Sequence, residues 1–148
     1  MYYPILAEAC KRSVASKHIS VQNITAASID GQRRTACKAD FSITFDVSEP
    51  ARAALSNRGI DALSYTTYQP FCFSPPAVTI ATEVEDSHGQ DASIVLSIWA
   101  HAHVMYLRAL LHEAGRPQMT IPALPLVAVQ GDKWYFRYFE ARVKKAVM

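Results

Sequence analysis

Pro75-Pro76-Ala77-Val78-Thr79-Ile80-Ala81-Thr82-Glu83-Val84-Glu85-Asp86 reads as a strand that runs into acid. Prolines open it, and strict alternation follows. Strand side chains alternate between faces, so Val78, Ile80, Thr82 and Val84 share one side. Ala77, Thr79, Ala81, Glu83 and Glu85 share the other. Carboxylates crowded on one strand face repel unless a cation, a proton or a partner relieves them. With Asp86 and Asp91 close behind, this end of the strand is a candidate for metal or acid–base chemistry.

Upstream, Ala36 to Val47 alternates as cleanly. Ala39, Phe41, Ile43, Phe45 and Val47 interleave with Lys38, Asp40, Ser42, Thr44 and Asp46. That pattern predicts a half-buried strand with one wet face, on which Lys38 and Asp40 project together. Before it come a short strand over Ile19 to Ala26 and a turn at Asp30-Gly31-Gln32. Ile5 to Lys17 reads as a helix, with Pro4 suited to its first turn. After it, Glu49 to Leu55 fits one or two helical turns, ended at Asn57-Arg58-Gly59. The polar-aromatic run Tyr65-Thr66-Thr67-Tyr68 then reads as a connection.

Downstream, Asp91 is placed to cap a long helix from Ala92 to about Ala114. Ile94, Val95, Ile98, Trp99, Ala102, Met105, Tyr106, Ala109 and Leu110 form its apolar stripe, and Gly115 and Pro117 stop it. Leu124 to Val129 and Trp134 to Glu140 form a hairpin about Gly131-Asp132. The order is helix, strand, strand, strand, helix, strand, strand. It predicts a single α+β domain over residues 1–148, with a mixed sheet of about five strands flanked by helices.

The totals narrow the function. A formal charge of +2 over 148 residues gives no electrostatic footprint for nucleic acid or an anionic membrane. Three widely spaced cysteines, Cys10, Cys37 and Cys72, without any Cys-x-x-Cys pair, predict free thiols in a reducing compartment. Met1-Tyr2-Tyr3-Pro4 lacks the basic and apolar regions of a signal peptide. No stretch reads as the ~20 apolar residues that span a bilayer. The expectation is an intracellular protein, cytoplasmic or nuclear, without a membrane partner.

Several segments in order resemble the fungal PD-(D/E)XK nuclease-like domain family. Ser64-Tyr65-Thr66-Thr67-Tyr68 followed by Pro75 to Glu83 is similar to its Asn-His-Thr-x-Tyr segment and its strand Pro-Ile-Ala-Val-Ser-Ile-Glu-Thr-Lys. Ala92 to Trp99 resembles its Ala-x-x-Gln-Leu-x-x-Trp helix, and Leu124 to Phe136 its Leu-Pro-x-x-x-Val-Gln-Gly-x-x-Trp-Tyr-Phe hairpin. Lys38-Ala39-Asp40-Phe41 resembles its Val-Asp-Phe strand. The resemblance implies a restriction-endonuclease-like core. It also implies a site built from an Asp on the second strand, a Glu on the third and a Lys two residues later. Asp40 keeps the first place, but Ala81 stands for the Glu, Glu83 for the Lys and Val95 for the helix Gln.

Those departures remove a metal ligand and reverse a charge. A nuclease of this kind needs carboxylates to hold a divalent ion and a cation near the developing oxyanion. DNA cleavage is therefore not expected, and nucleic acid is not the expected partner. The first expectation is a cleft repurposed for a small organic ligand in fungal specialised metabolism, lined by Tyr65, Tyr68, Phe73, Ala81 and Trp99. The second is an acid–base enzyme of isomerase, cyclase or dehydratase type, using Asp40, Glu83, Glu85 and Lys38. A third is a nuclease with a migrated site, in which Asp40 and Glu83 hold Mg²⁺ and Lys38 replaces the lost lysine. Otherwise no cofactor is expected. These charges also read as ordinary residues of a wet sheet face, and the aromatics as ordinary core. His101 and His103 lie two apart on the long helix and cannot chelate together. His112-Glu113 lacks the second His of a zinc-protease helix. The aromatic hairpin could pair two copies into a homodimer.

Overall fold

Two parallel strands side by side fix the architecture, because parallel neighbours need a crossover and the connection here carries the long helix. The computed structural model describes residues 19–27, 39–60, 62–66, 73–83 and 91–141. Five strands form one sheet in the order β1-β2-β3-β4-β5. They are β1 (Ile19–Asn23), β2 (Phe41–Phe45), β3 (Pro76–Glu83), β4 (Leu124–Gln130) and β5 (Lys133–Phe139). β3 and β4 run parallel, with Ala81 opposite Ala128 and Glu83 opposite Gln130. The other neighbours are antiparallel. The helices are α1 (Glu49–Ser56) and α2 (Ala92–Glu113). This is the mixed five-stranded α+β sheet that the sequence predicts, consistent with a restriction-endonuclease-like core. The helix expected over Ile5 to Lys17 lies outside the described residues.

α2 lies across β3 and β4. Its start is set by Asp91, whose carboxylate accepts the Ser93 N–H at 2.7 Å. Gly115, at φ 69°, turns the chain out of the helix. Beneath it lies one core cluster: Ile24, Ala27, Ala39, Tyr65, Ala81, Leu126 and Ala128 against Ala92, Val95, Leu96, Trp99 and Ala100. A second cluster occupies the other sheet face, with Phe41, Ile80, Val127 and Val129 buried. β4 contributes to both, so Leu126-Val127-Ala128-Val129 is an unbroken apolar run, as a strand covered on both faces requires.

Two expectations need correction here. β2 has no wet face: Ser42 and Thr44 are fully buried, whereas Phe45 is 48 % exposed. The hydroxyls are affordable inside because each is bonded. Ser42 Oγ donates to the Val78 carbonyl at 3.0 Å, and Thr44 Oγ1 pairs with Ser20 Oγ at 2.8 Å. The alternation also slips. Asp40 N–H donates to the Ile80 carbonyl while Phe41 stands opposite that same Ile80. Two residues facing one switch the parity, so Ala39 joins the cluster under α2 and Phe41 joins the opposite one.

The stripe of α2 keeps its period but not its phase. Ala92, Val95, Leu96, Trp99, Ala100, His103 and Val104 are buried, while Ile94 and Met105 are each 52 % exposed. A helix that is apolar nearly all round does not fix its own buried face. By length and composition α2 also reaches what a bilayer span needs, at 22 residues, contrary to the reading that no stretch does. Here it is a core helix, laid on the sheet along its buried face.

Candidate functional site

Parallel strands end together, and the carboxyl ends of β3 and β4 lie beside the start of antiparallel β2. Asp40 occupies the gap where β2 gives way along β3. Its Oδ2 accepts the Thr82 N–H and the Thr82 hydroxyl, both at 2.7 Å. Its own N–H donates to the Ile80 carbonyl at 3.1 Å, and its carbonyl accepts from Ile24 N–H at 2.9 Å. The carboxylate thus stands in for the ladder partner that Thr82 loses, and hydrogen bonds to a charged oxygen are the stronger kind. Thr82 was not among the residues singled out by sequence. The signal was its place between Ala81 and Glu83, at the middle of the strand motif.

Glu83 ends β3, one residue beyond that pair and in register with Gln130. Lys38, Glu85 and Tyr68 lie outside the described residues. Among the described residues, no three His, Cys, Asp or Glu side chains gather where one metal ion could be held.

Of the residues expected to line a ligand cleft, Tyr65, Ala81 and Trp99 come together in the cluster beneath α2. They are core there. Trp99 is fully buried and Ala81 is 2 % exposed. The Tyr65 ring meets Trp99 edge-on at 5.5 Å between centroids. Phe73 does not join them. It lies under the Arg52 guanidinium, 5.9 Å from its centroid, at the opposite end of β3, where Phe45 N–H bonds Pro75. At ~3.3 Å per residue, the strand separates Phe73 from Thr82 by roughly 20 Å or more.

The cluster has a polar margin that the sequence did not reveal. Ser64 and Tyr65 bury hydroxyls that find no well-formed partner among the described residues. Thr79 is near enough to the Tyr65 hydroxyl to ease its ionisation slightly, but burial dominates and pushes that phenol well above its ordinary range. His103, on α2, sits against Tyr65 with ring centroids 5.1 Å apart. Burial lowers its pKa to about 4, so the imidazole is neutral at pH 7. In sequence, His103 was indistinguishable from exposed His101, because only the phase of the helix separates them.

A profile of the PD-(D/E)XK nuclease superfamily matches residues 1–147. Neither the curated proteins nor the solved structures yield a match. The match spans nearly the whole chain, and the sheet, with its parallel central pair and crossover helix, has the architecture that goes with it. This chain belongs to the PD-(D/E)XK nuclease superfamily.

Proposed function

We propose that this chain is a non-nucleolytic member of its superfamily, whose altered site accepts a small polar organic ligand. The observation that carries the reading is the Asp40–Thr82 pair. Metal-dependent phosphodiester cleavage needs carboxylate oxygens free to hold a divalent ion. One oxygen of Asp40 is filled by two donors. The neighbouring position, where the resemblance calls for a second carboxylate, carries the methyl of Ala81 packed into an apolar cluster. This donor set does not fit a divalent ion held at that place. Glu83, where the resemblance calls for a lysine, would repel a phosphate rather than draw it in.

Support for a ligand comes from the hydroxyls of Ser64 and Tyr65. A buried hydroxyl without a partner carries a desolvation cost of about 1–3 kcal/mol. A small molecule whose hydrogen-bonding groups reach these hydroxyls would remove that cost. Fungal specialised metabolism is the setting we attach to this reading. The test has two arms. Purified full-length protein is incubated with duplex and single-stranded DNA and Mg²⁺ or Mn²⁺, beside an Asp40→Asn variant. No cleavage is expected; cleavage lost in the variant would overturn the reading. A thermal-shift panel of polar metabolites should then yield a ligand whose stabilisation shrinks in Tyr65→Phe. A panel without any shift removes the ligand and leaves only the loss of cleavage.

A further inference from the structure

We infer that the outer edge of β5 is the surface through which two copies of this chain join, in an antiparallel pairing centred on Phe136. β5 is an edge strand: β4 lies on one side, and no strand lies on the other among the described residues. Open edges of this kind invite a strand from another chain unless they are short, bulged or charged. This one spans seven residues, Lys133–Phe139, with register unbroken from Gln130↔Lys133 to Leu124↔Phe139.

Hairpin geometry says which backbone groups face outward. The turn Gly131-Asp132 has Gly131 at φ 56° and no positive φ at Asp132, which is the two-residue turn that opens on a left-handed glycine. Such a turn closes on a hydrogen-bonded pair, here Gln130 and Lys133. Hydrogen-bonded pairs then recur at every second residue, so Tyr135, Arg137 and Phe139 turn their amides toward β4. Phe136 and its alternating neighbours turn theirs to the open edge.

A two-fold axis normal to the sheet must place like-facing residues opposite each other. Centred on Phe136, it sets Phe136 against Phe136 of the second copy, Trp134 against Tyr138, and Tyr135 against Arg137. Every residue of the strand is then paired. The first two pairings are aromatic on aromatic, and the third lays a guanidinium beside a phenol ring. Trp134, Phe136 and Tyr138 stand opposite Val129, Val127 and Pro125 of β4. They therefore continue outward the face of the buried Phe41–Ile80–Val127–Val129 cluster, and that apolar layer runs off the open edge. Phe136 is 73 % and Tyr138 74 % exposed. With Trp134 at 36 %, rings of about 200 Å² each at these exposures offer roughly 700 Å² over two copies before the paired backbone edges are counted, the scale of a weak, concentration-dependent association.

The test uses full-length protein by sedimentation and light scattering across a hundredfold concentration range. A monomer–dimer equilibrium is expected. Phe136→Arg, which sets two like charges against each other across the axis, should raise the dissociation constant at least tenfold while the circular dichroism stays unchanged. Register is read separately. Phe136→Cys should cross-link to itself on mild oxidation, and Trp134→Cys should cross-link with Tyr138→Cys in a mixture more than either does alone. The bridged peptides are identified by mass spectrometry. A monomer throughout, a dimer indifferent to Phe136→Arg, or folded Phe136→Cys protein without the cross-link would each overturn the proposal.

Discussion

Asp40 accepts two hydrogen bonds on one oxygen, and both come from Thr82. They cross from the lead-in of β2 to the end of β3, so they hold those two segments together. Removing the carboxylate leaves the Thr82 N–H without its acceptor. Asp40→Ala should therefore cost about 1–3 kcal/mol in urea unfolding. Thr82→Val keeps the amide bond and loses only the hydroxyl bond, so it should cost nearer 1 kcal/mol. If the two losses are of one network, the double variant should cost less than their sum. Tyr65 behaves oppositely. Its buried hydroxyl has no well-formed partner among the described residues, so Tyr65→Phe should leave the ligand-free protein as stable as before or slightly more so by melting temperature. A loss of about 1 kcal/mol or more would mean that the hydroxyl is bonded in solution. Neither behaviour was legible in sequence. Asp40 announced itself by type and place, but its partner depends on where β2 leaves β3, and Tyr65 gives no sign in the chain of what its hydroxyl meets.

Elements were more legible than their faces. β3, β4 and β5 follow from alternation, prolines and the Gly131-Asp132 turn, and α2 follows from its Asp91 cap and the Gly115 stop. The errors are errors of phase. Ser42 and Thr44 look like the wet side of a strand, yet burial on both faces turns them into bonded core. One irregularity at Asp40 then puts Ala39 and Phe41 in different clusters, which no periodic reading anticipates. In α2 the apolar residues exceed what one face can bury, so neighbours on the sheet choose among them. That choice is open to measurement. Leu96→Ala, at a position 1 % exposed, should cost about 2–5 kcal/mol. Ile94→Ala, at a position half exposed, should stay within about 1 kcal/mol. Equal losses in chemical denaturation would mean that the helix sits rotated on the sheet. The site suffers from the same ambiguity: Tyr65, Ala81 and Trp99, read in sequence as lining a cleft, lie together in the buried cluster beneath α2.

The whole molecule should carry the signature of His103 in its acid stability. This imidazole is buried under α2 against Tyr65, and desolvation holds its pKa at about 4, below the ordinary 6.5. Below pH 6.5 the unfolded chain gains a proton that the folded chain refuses. The unfolded state then binds more protons, and stability falls as the pH drops. The loss begins near 6.5, deepens to about 4, and is absent above 7, where both states are neutral at this position. Between pH 7.5 and pH 5 it amounts to about 2 kcal/mol, from a shift of this size at about 1.4 kcal/mol per pH unit. Urea midpoints of the parent protein and of His103→Gln at pH 7.5 and pH 5 isolate the effect. The parent should lose about 2 kcal/mol more than the variant over that interval. Equal losses would place the imidazole in contact with water rather than buried under α2 against Tyr65.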